Sequence, residues 1–251
     1  MMFPEISIVF SKLGVLSPDG QCKAYDAQAN GYVRSKGSGM ILQKPLSDAE
    51  RDGCRIMTLI RGTATYSDGK MDQQMTFLSG EQQVQLFDRV LYESNVFPSE
   101  TNSVKAHDTS TLVNDPVECK SIRRILNVGR QRRRANVVGS VKSNVGHLEP
   151  AAGIVSLIKV VYAVKHNLIP PTISALTLNP RIVMKALNLK NVIQIQSLPA
   201  AANENQLRTG TVSEFEFREP NVSLIVLKAK ARLVNVLRFW LYLDGVLKHL
   251  Y

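Results

Sequence analysis

Two residue types capable of acid–base chemistry, Lys142 and His147, stand five positions apart in Gly139 to Gly153, GSVKSNVGHLEPAAG. A β-branched stretch there runs through a Ser-Asn-Gly turn into an apolar segment, a junction that holds side chains rigidly at a sheet edge. Gly146 eases a tight bend, so both side chains can point into one cleft. An imidazole donates or accepts a proton near neutrality, and a buried ammonium beside it biases its proton state. On residue type alone, a lysine and a histidine beside a turn are more often structural than catalytic. The three cysteines, Cys22, Cys54 and Cys119, are too scattered for a disulfide framework, and no CxxC pair suggests zinc. A reducing compartment fits them, and no metal site is expected.

The elements that must position these groups follow from the pattern. Leu16 to Gly39 is rich in turn residues and reads as loop around short strands. Arg55 to Tyr66 reads as a strand. Ser79 with Gln82 resembles a capping box, and Val84, Phe87 and Leu91 then recur at helical spacing, predicting a helix over about 80 to 94. Ser103 to His107 is a short strand. Asp115 as N-cap, Pro116 at the first helical position and Glu118 as returning carboxylate open a helix through Ile122, Ile125 and Leu126 that Gly129 closes. Asn136 to Lys142 is a strand, and Ala151 to His166 is apolar on nearly every face, a helix buried in a layered domain and ended by Pro170 and Pro171. Val222 to Lys228 is the final strand. Strands alternating with such helices imply an α/β layered fold. The tail from Leu233 is amphipathic and holds the only tryptophan, Trp240; it suits docking on the parent domain or a partner better than a membrane-surface helix.

Bulk properties exclude several classes. With 251 residues, 44% hydrophobic and 21% charged, the chain is ordinary globular material. The formal charge of +10 is spread through apolar segments. The one dense cluster, Arg130 and Arg132 to Arg134, has no aromatic stacking residues beside it and reads as a solvated loop, so nucleic acid is not an expected partner. The opening segment carries Lys and Glu without a small-residue cleavage site, and no apolar run suits a membrane helix, so a cytoplasmic protein is expected.

The stretch around Lys142 and His147 is similar to the KSNxGHxEPAAG signature of β-ketoacyl synthases, the condensing domains of fatty acid and polyketide synthases. AHDTSTLVNDP, Ala106 to Pro116, resembles that family's AHGTGTxxGDP. LSPDGQCKAYDAQANGYVRSKG resembles its LSPDGxCxxFDxxxNGYxRSEG, and FLSGEQQVQLFDRVL and HNLIPPTISALTLNPRI are also similar, so the likeness runs from about residue 3 to 228. NGYVRS and LSPDG are closest in wording to animal fatty acid synthases. The resemblance implies a thiolase-like fold of α-β-α layers, of which this chain carries the C-terminal half and a short remnant of the N-terminal half. Residues 1–50 would be that remnant, 51–171 the C-terminal half, 172–230 an extension closing the cleft, and 231–251 the tail. It implies decarboxylative condensation of a malonyl thioester with an acyl thioester, with His107, Lys142 and His147 catalytic. Asn144, Thr109, Thr111, Phe215, Phe217 and Asn221 would line the substrate. Substrates would arrive as phosphopantetheine thioesters on an acyl carrier protein, with no cofactor bound directly, and the chain would form a homodimer or join other synthase domains.

The departures from the family pattern shape the rest. The family's nucleophilic cysteine lies in a TACSSS-type elbow that has no counterpart here, so acyl transfer is expected to fail in this chain alone. Asp108, Ser110 and Asn114 replace glycines of the second histidine motif, and Asp108 is expected to raise the pKa of His107 and clutter the cleft. The family's SFGFGGSNxH becomes EFEFREPNVS, with Glu216, Arg218 and Glu219 in place of glycines, which would strain or block that loop. The alternative function is a catalytically dead scaffold, or a truncated gene product, that binds a sister chain or acyl carrier protein.

Overall fold

The computed structural model describes residues 4–67, 79–126, 135–199, 207–215, 220–228, 239–243 and 246–250. Phe217, Glu216, Arg218, Glu219 and the arginine cluster at 130 to 134 lie outside them. In chain order the elements are α1 (Pro4–Lys12), β1 (Gly37–Met40), α2 (Leu46–Arg51), β2 (Thr58–Ser67), α3 (Gly80–Ser94), β3 (Ser103–Lys105), α4 (Asn114–Leu126), β4 (Asn136–Gly139), α5 (Lys142–Val145), α6 (Ala152–His166), β5 (Leu168–Ile169), β6 (Leu189–Asn191), β7 (Gln196–Ser197), β8 (Thr209–Glu214), β9 (Pro220–Lys228), β10 (Phe239–Leu243) and β11 (Val246–Leu250).

The central sheet has the order β2-β9-β8-β3-β4-β6. The strands β8, β3, β4 and β6 run parallel, while β9 and β2 continue the sheet antiparallel. Helices cover both faces, and the alternation of side chains along the strands shows how. Val104, Val138 and Ile225 point to one face, where Leu86, Phe87 and Val90 of α3 and Ile122 and Ile125 of α4 complete a core. Their neighbours Val137, Val212 and Val226 point to the other, against Leu157, Ile158, Val160, Val161 and Val164 of α6. Strands buried on both sides can be short, and β3 and β4 are buried at every residue. Gly210 lets α6 settle on β8, since a Cβ there would stand 2.5 Å from Val160 Cγ1.

The helices form where capping and periodicity place them. The Ser79 hydroxyl accepts from the Gln82 amide to open α3, and Asn95 closes it in the left-handed conformation. Two local expectations are corrected. Helix α4 starts one residue before Asp115: the Thr111 hydroxyl accepts from the Asn114 amide, and Asp115 returns a bond to the Thr111 amide. Helix α6 ends on left-handed Asn167, with strand β5 following, ahead of the prolines. The tail contributes strands β10 and β11, which pair with each other and add to β1.

Candidate functional site

The site gathers at the C-terminal ends of the parallel strands β3, β4 and β8. His107 follows β3 by two residues, Lys142 follows β4 by three, and Phe215 follows β8 directly. Lys142 and His147 belong to the turn between β4 and α6, where Gly146 adopts φ +72°. A Cβ on Gly146 would come within 3.0 Å of Val33 O and Ser35 Cβ, so the turn needs both the left-handed φ and the bare Cα. The backbone of His147 is held on each side by the 32–35 segment: its amide donates to Val33 O at 2.7 Å and its carbonyl accepts from the Ser35 amide at 2.9 Å.

The structure brings His107, Lys142 and His147 together, all buried. The two imidazoles meet edge to face with ring centroids 5.9 Å apart. Tyr32 lies 4.9 Å from the His147 ring, and Phe215 lies 5.9 Å from the His107 ring. His147 Nδ1 accepts from the Glu149 amide at 2.9 Å, which puts the proton of the neutral ring on Nε2. Lys142 Nζ donates to the His107 carbonyl and to Glu214 Oε2, each at 2.7 Å, and stands 3.4 Å from His107 Nδ1. Burial, and then the Lys142 charge, push the pKa of His107 down to about 3 and hold that of His147 well below its ordinary value. Both rings are therefore neutral near pH 7.

This outcome reverses the expectation for Asp108. Its carboxyl faces Asp115 and the Ser110 amide; burial raises the pKa of Asp108 against the lowering effect of those two hydrogen bonds, and burial together with the Asp108 charge holds that of Asp115 well above the ordinary range. The glycine-type backbone persists under the substitutions, with Asp108 at φ +42° and Ser110 at +59°. Glu118, in the first turns of α4, braces the same loop by accepting from the His107 amide at 2.7 Å and the Asp108 amide at 2.9 Å.

The remaining candidates divide. Thr109 is buried on the loop after His107. Thr111 is occupied in capping α4. Asn144 is exposed on α5, where its side chain accepts from the Ser143 hydroxyl at 3.3 Å. Phe215 is buried, and its amide nitrogen lies 3.1 Å from His107 Nδ1. Asn221 is buried near the start of β9, opposite Tyr66.

Two charged groups escaped the sequence reading. Glu214 pairs with both Lys105 and Lys142, accepts from the Ser156 hydroxyl, and places Oε2 2.8 Å from His107 Nδ1. The two cations hold its carboxyl well below the ordinary range despite burial, while burial lowers Lys105 to about 8. The only trace of this pairing in the sequence is a lone charge in each of two short β segments 109 residues apart.

Two family models match, the C-terminal domain of β-ketoacyl synthase over residues 57–175 and its N-terminal domain over residues 1–49. The chain belongs to the β-ketoacyl synthase family. It is 38% identical over 227 residues to a phenolphthiocerol/phthiocerol polyketide synthase of Mycobacterium tuberculosis, covering 90% of this chain and 12% of that protein. It is 35% identical over 223 residues to highly reducing polyketide synthase 40 of Fusarium mangiferae, covering 89% and 9%. A ketosynthase domain of the oxazolomycin system of Streptomyces albus superposes with a TM-score of 0.86 at 28% identity, covering 93% of this chain and 41% of that one. A ketosynthase of the bacillaene synthase of Bacillus subtilis gives 0.82 at 27% identity, covering 92% and 41%. The thiolase-like layered fold is thereby established, and the ketosynthase chain spans about two fifths of those solved domains. The relatives named here are polyketide synthases, so the likeness to animal fatty acid synthases does not decide the product class. No helix among the described residues is long and apolar enough to cross a membrane.

Proposed function

We propose that this ketosynthase chain carries the decarboxylating half of a Claisen condensation in fatty acid or polyketide synthesis. The substrate is a malonyl thioester presented on the phosphopantetheine arm of an acyl carrier protein. One observation supports this most directly: two neutral, buried imidazoles stand 5.9 Å apart with a lysine ammonium bonded beside them. When the bond from the malonyl methylene to its carboxylate breaks, CO2 leaves and the electron pair moves onto the thioester oxygen as an enolate. The His147 Nε2–H donates to that oxygen, and a donor fixed in a dry site lowers such a barrier because it need not reorganise. Lys142 holds the His107 loop through the His107 carbonyl. Cys22 and Cys119 are buried, with thiols pushed above the ordinary value by burial, so neither is a poised nucleophile and the proposal stops at decarboxylation. A cytoplasmic setting and a dimeric or multidomain partner go with it.

The test is CO2 release from a malonyl thioester by the purified chain, with His147→Ala beside it. Loss of one donor is expected to slow release by about 100-fold to 1000-fold. Release unaffected by the substitution would remove His147 from the reaction, and no release from either protein would favour a non-catalytic scaffold.

A further inference from the structure

The reaction above leaves the carboxylate of Glu214 without a task. The group is buried at the last residue of β8, and a serine stands at that place in the family's SFGFGGSNxH pattern. Three polar neighbours converge on His107 Nδ1. The Phe215 amide at 3.1 Å and the Lys142 ammonium at 3.4 Å can only donate to it, whereas Glu214 Oε2 at 2.8 Å can only accept. A neutral imidazole carries one proton, so these neighbours compete over which nitrogen holds it.

We propose that Glu214 is a positioning residue that draws the proton of His107 onto Nδ1, leaving Nε2 as an acceptor, so that His147 is the pair's only donor to a thioester oxygen.

The distances and bond strengths favour the carboxylate. A hydrogen bond to an ionised acceptor is roughly twice as strong as a neutral one, and a bare Nδ1 would set its lone pair against a carboxylate oxygen at the shortest of the three contacts. Lys142 does not need Nδ1, since its ammonium already donates to the His107 carbonyl and to Glu214 at 2.7 Å. That leaves the Phe215 amide as a neutral rival at longer range. Lys105, Lys142 and the Ser156 hydroxyl fix the carboxylate in place, so it cannot turn away from the ring. At His147 Nδ1 the Glu149 amide donates instead, and the two imidazoles end in opposite tautomers.

The consequence for rate rests on the decarboxylation proposed above, but the tautomer does not, and the experiment separates the two. The full chain labelled with 15N-histidine is examined by NMR, with the His107 signals identified by their loss in His107→Asn. The expected result is a protonated Nδ1 and a bare Nε2 on His107, with the reverse on His147. Glu214→Gln is combined with Lys105→Met so that one buried charge of each sign is removed. The Gln amide then donates to Nδ1, and the His107 pattern should invert. In the same pair of proteins, CO2 release from a malonyl thioester should rise by about 100-fold as the second donor appears. A wild-type His107 that carries its proton on Nε2, or on both nitrogens, overturns the assignment even if the double variant does not fold. A pattern unchanged in a folded double variant overturns it as well. Inversion without CO2 release from either protein would uphold the role of Glu214 and sink the decarboxylation; release from a wild type with Nε2–H would do the opposite.

Discussion

Ser110 shows how a single residue can keep a backbone shape its side chain does not favour. It stands where the family pattern has glycine, is fully buried, adopts φ +59°, and its hydroxyl finds no hydrogen-bond partner. The shape is retained because the loop is held from outside: the Ser110 carbonyl accepts from the Gly31 amide, and Glu118 clamps the amides of His107 and Asp108. A left-handed non-glycine residue costs about 1–2 kcal/mol, and an orphaned buried hydroxyl adds about 1 kcal/mol or more. Against this, glycine loses about 0.5–1 kcal/mol more chain entropy on folding. Ser110→Gly should therefore stabilise the chain by about 1 kcal/mol, seen as a rise in melting temperature of about 2–4 °C. A fall would mean that the hydroxyl has a partner in solution or that the strain is already relieved. Asp108 is a poorer test of the same idea, because removing its carboxyl also changes the ionisation of Asp115.

Among the elements, α6 combines what the sequence discloses with what it hides. Its extent was legible because apolar residues recur on nearly every face, as were α3, from its cap and spacing, and β9, from its β-branched run. Strand β8, TGTVSE, was missed because its small and polar residues carry no hydrophobic signal; its burial comes from α6 and from the strands on either side. With it went Glu214, so the anion at the centre of the site was invisible until β3 and β8 were paired. The tail was read as a docking segment with no element assigned, and its two β-prone runs pair as β10 and β11, with β10 joining β1. Lys159 lies in the middle of α6, where its ammonium donates to the Ser140 carbonyl at 2.7 Å and burial depresses its pKa from 10.5 to about 7. Above about pH 7 the folded chain holds this amine neutral, while the unfolded chain keeps its proton until about 10.5. The unfolded state thus binds more protons across that window, and the cost of burying the group is relieved as pH rises, by at most about 1.4 kcal/mol per unit. Relative to Lys159→Met, the wild type should gain stability between pH 7 and 9, measured as the difference in urea midpoints. A difference independent of pH would show that the amine stays charged in the fold.

At the scale of the whole molecule, the sheet is covered on both faces, but the first helix is not integrated with it. None of the residues of α1 is buried, and Ile8, Val9 and Leu13 are 54%, 53% and 47% exposed. A nine-residue helix has too few turns to persist in water on its own propensity and depends on packing. What this structure supplies is the partial burial of Phe10 against Tyr32 and the Arg34 guanidinium over its ring. Met40 and Leu42, each 66% exposed, leave further apolar surface after β1. Exposed apolar groups that are not scattered singly mark an interface, and here they belong to a chain that spans about two fifths of the solved ketosynthases it matches. Self-association is the expected outcome, with light scattering giving a mass well above the 27.9 kDa of one chain. Ile8→Glu with Val9→Glu places two charges on the helix without touching the core and should shift the distribution toward monomer. Because the driving force is apolar, association should persist in about 0.5 M salt, where screening weakens contacts between surface charges. A clean monomer at micromolar concentration would refute self-association, and association that dissolves in salt and ignores the double substitution would assign the interface to the +10 charge distribution instead of the helix.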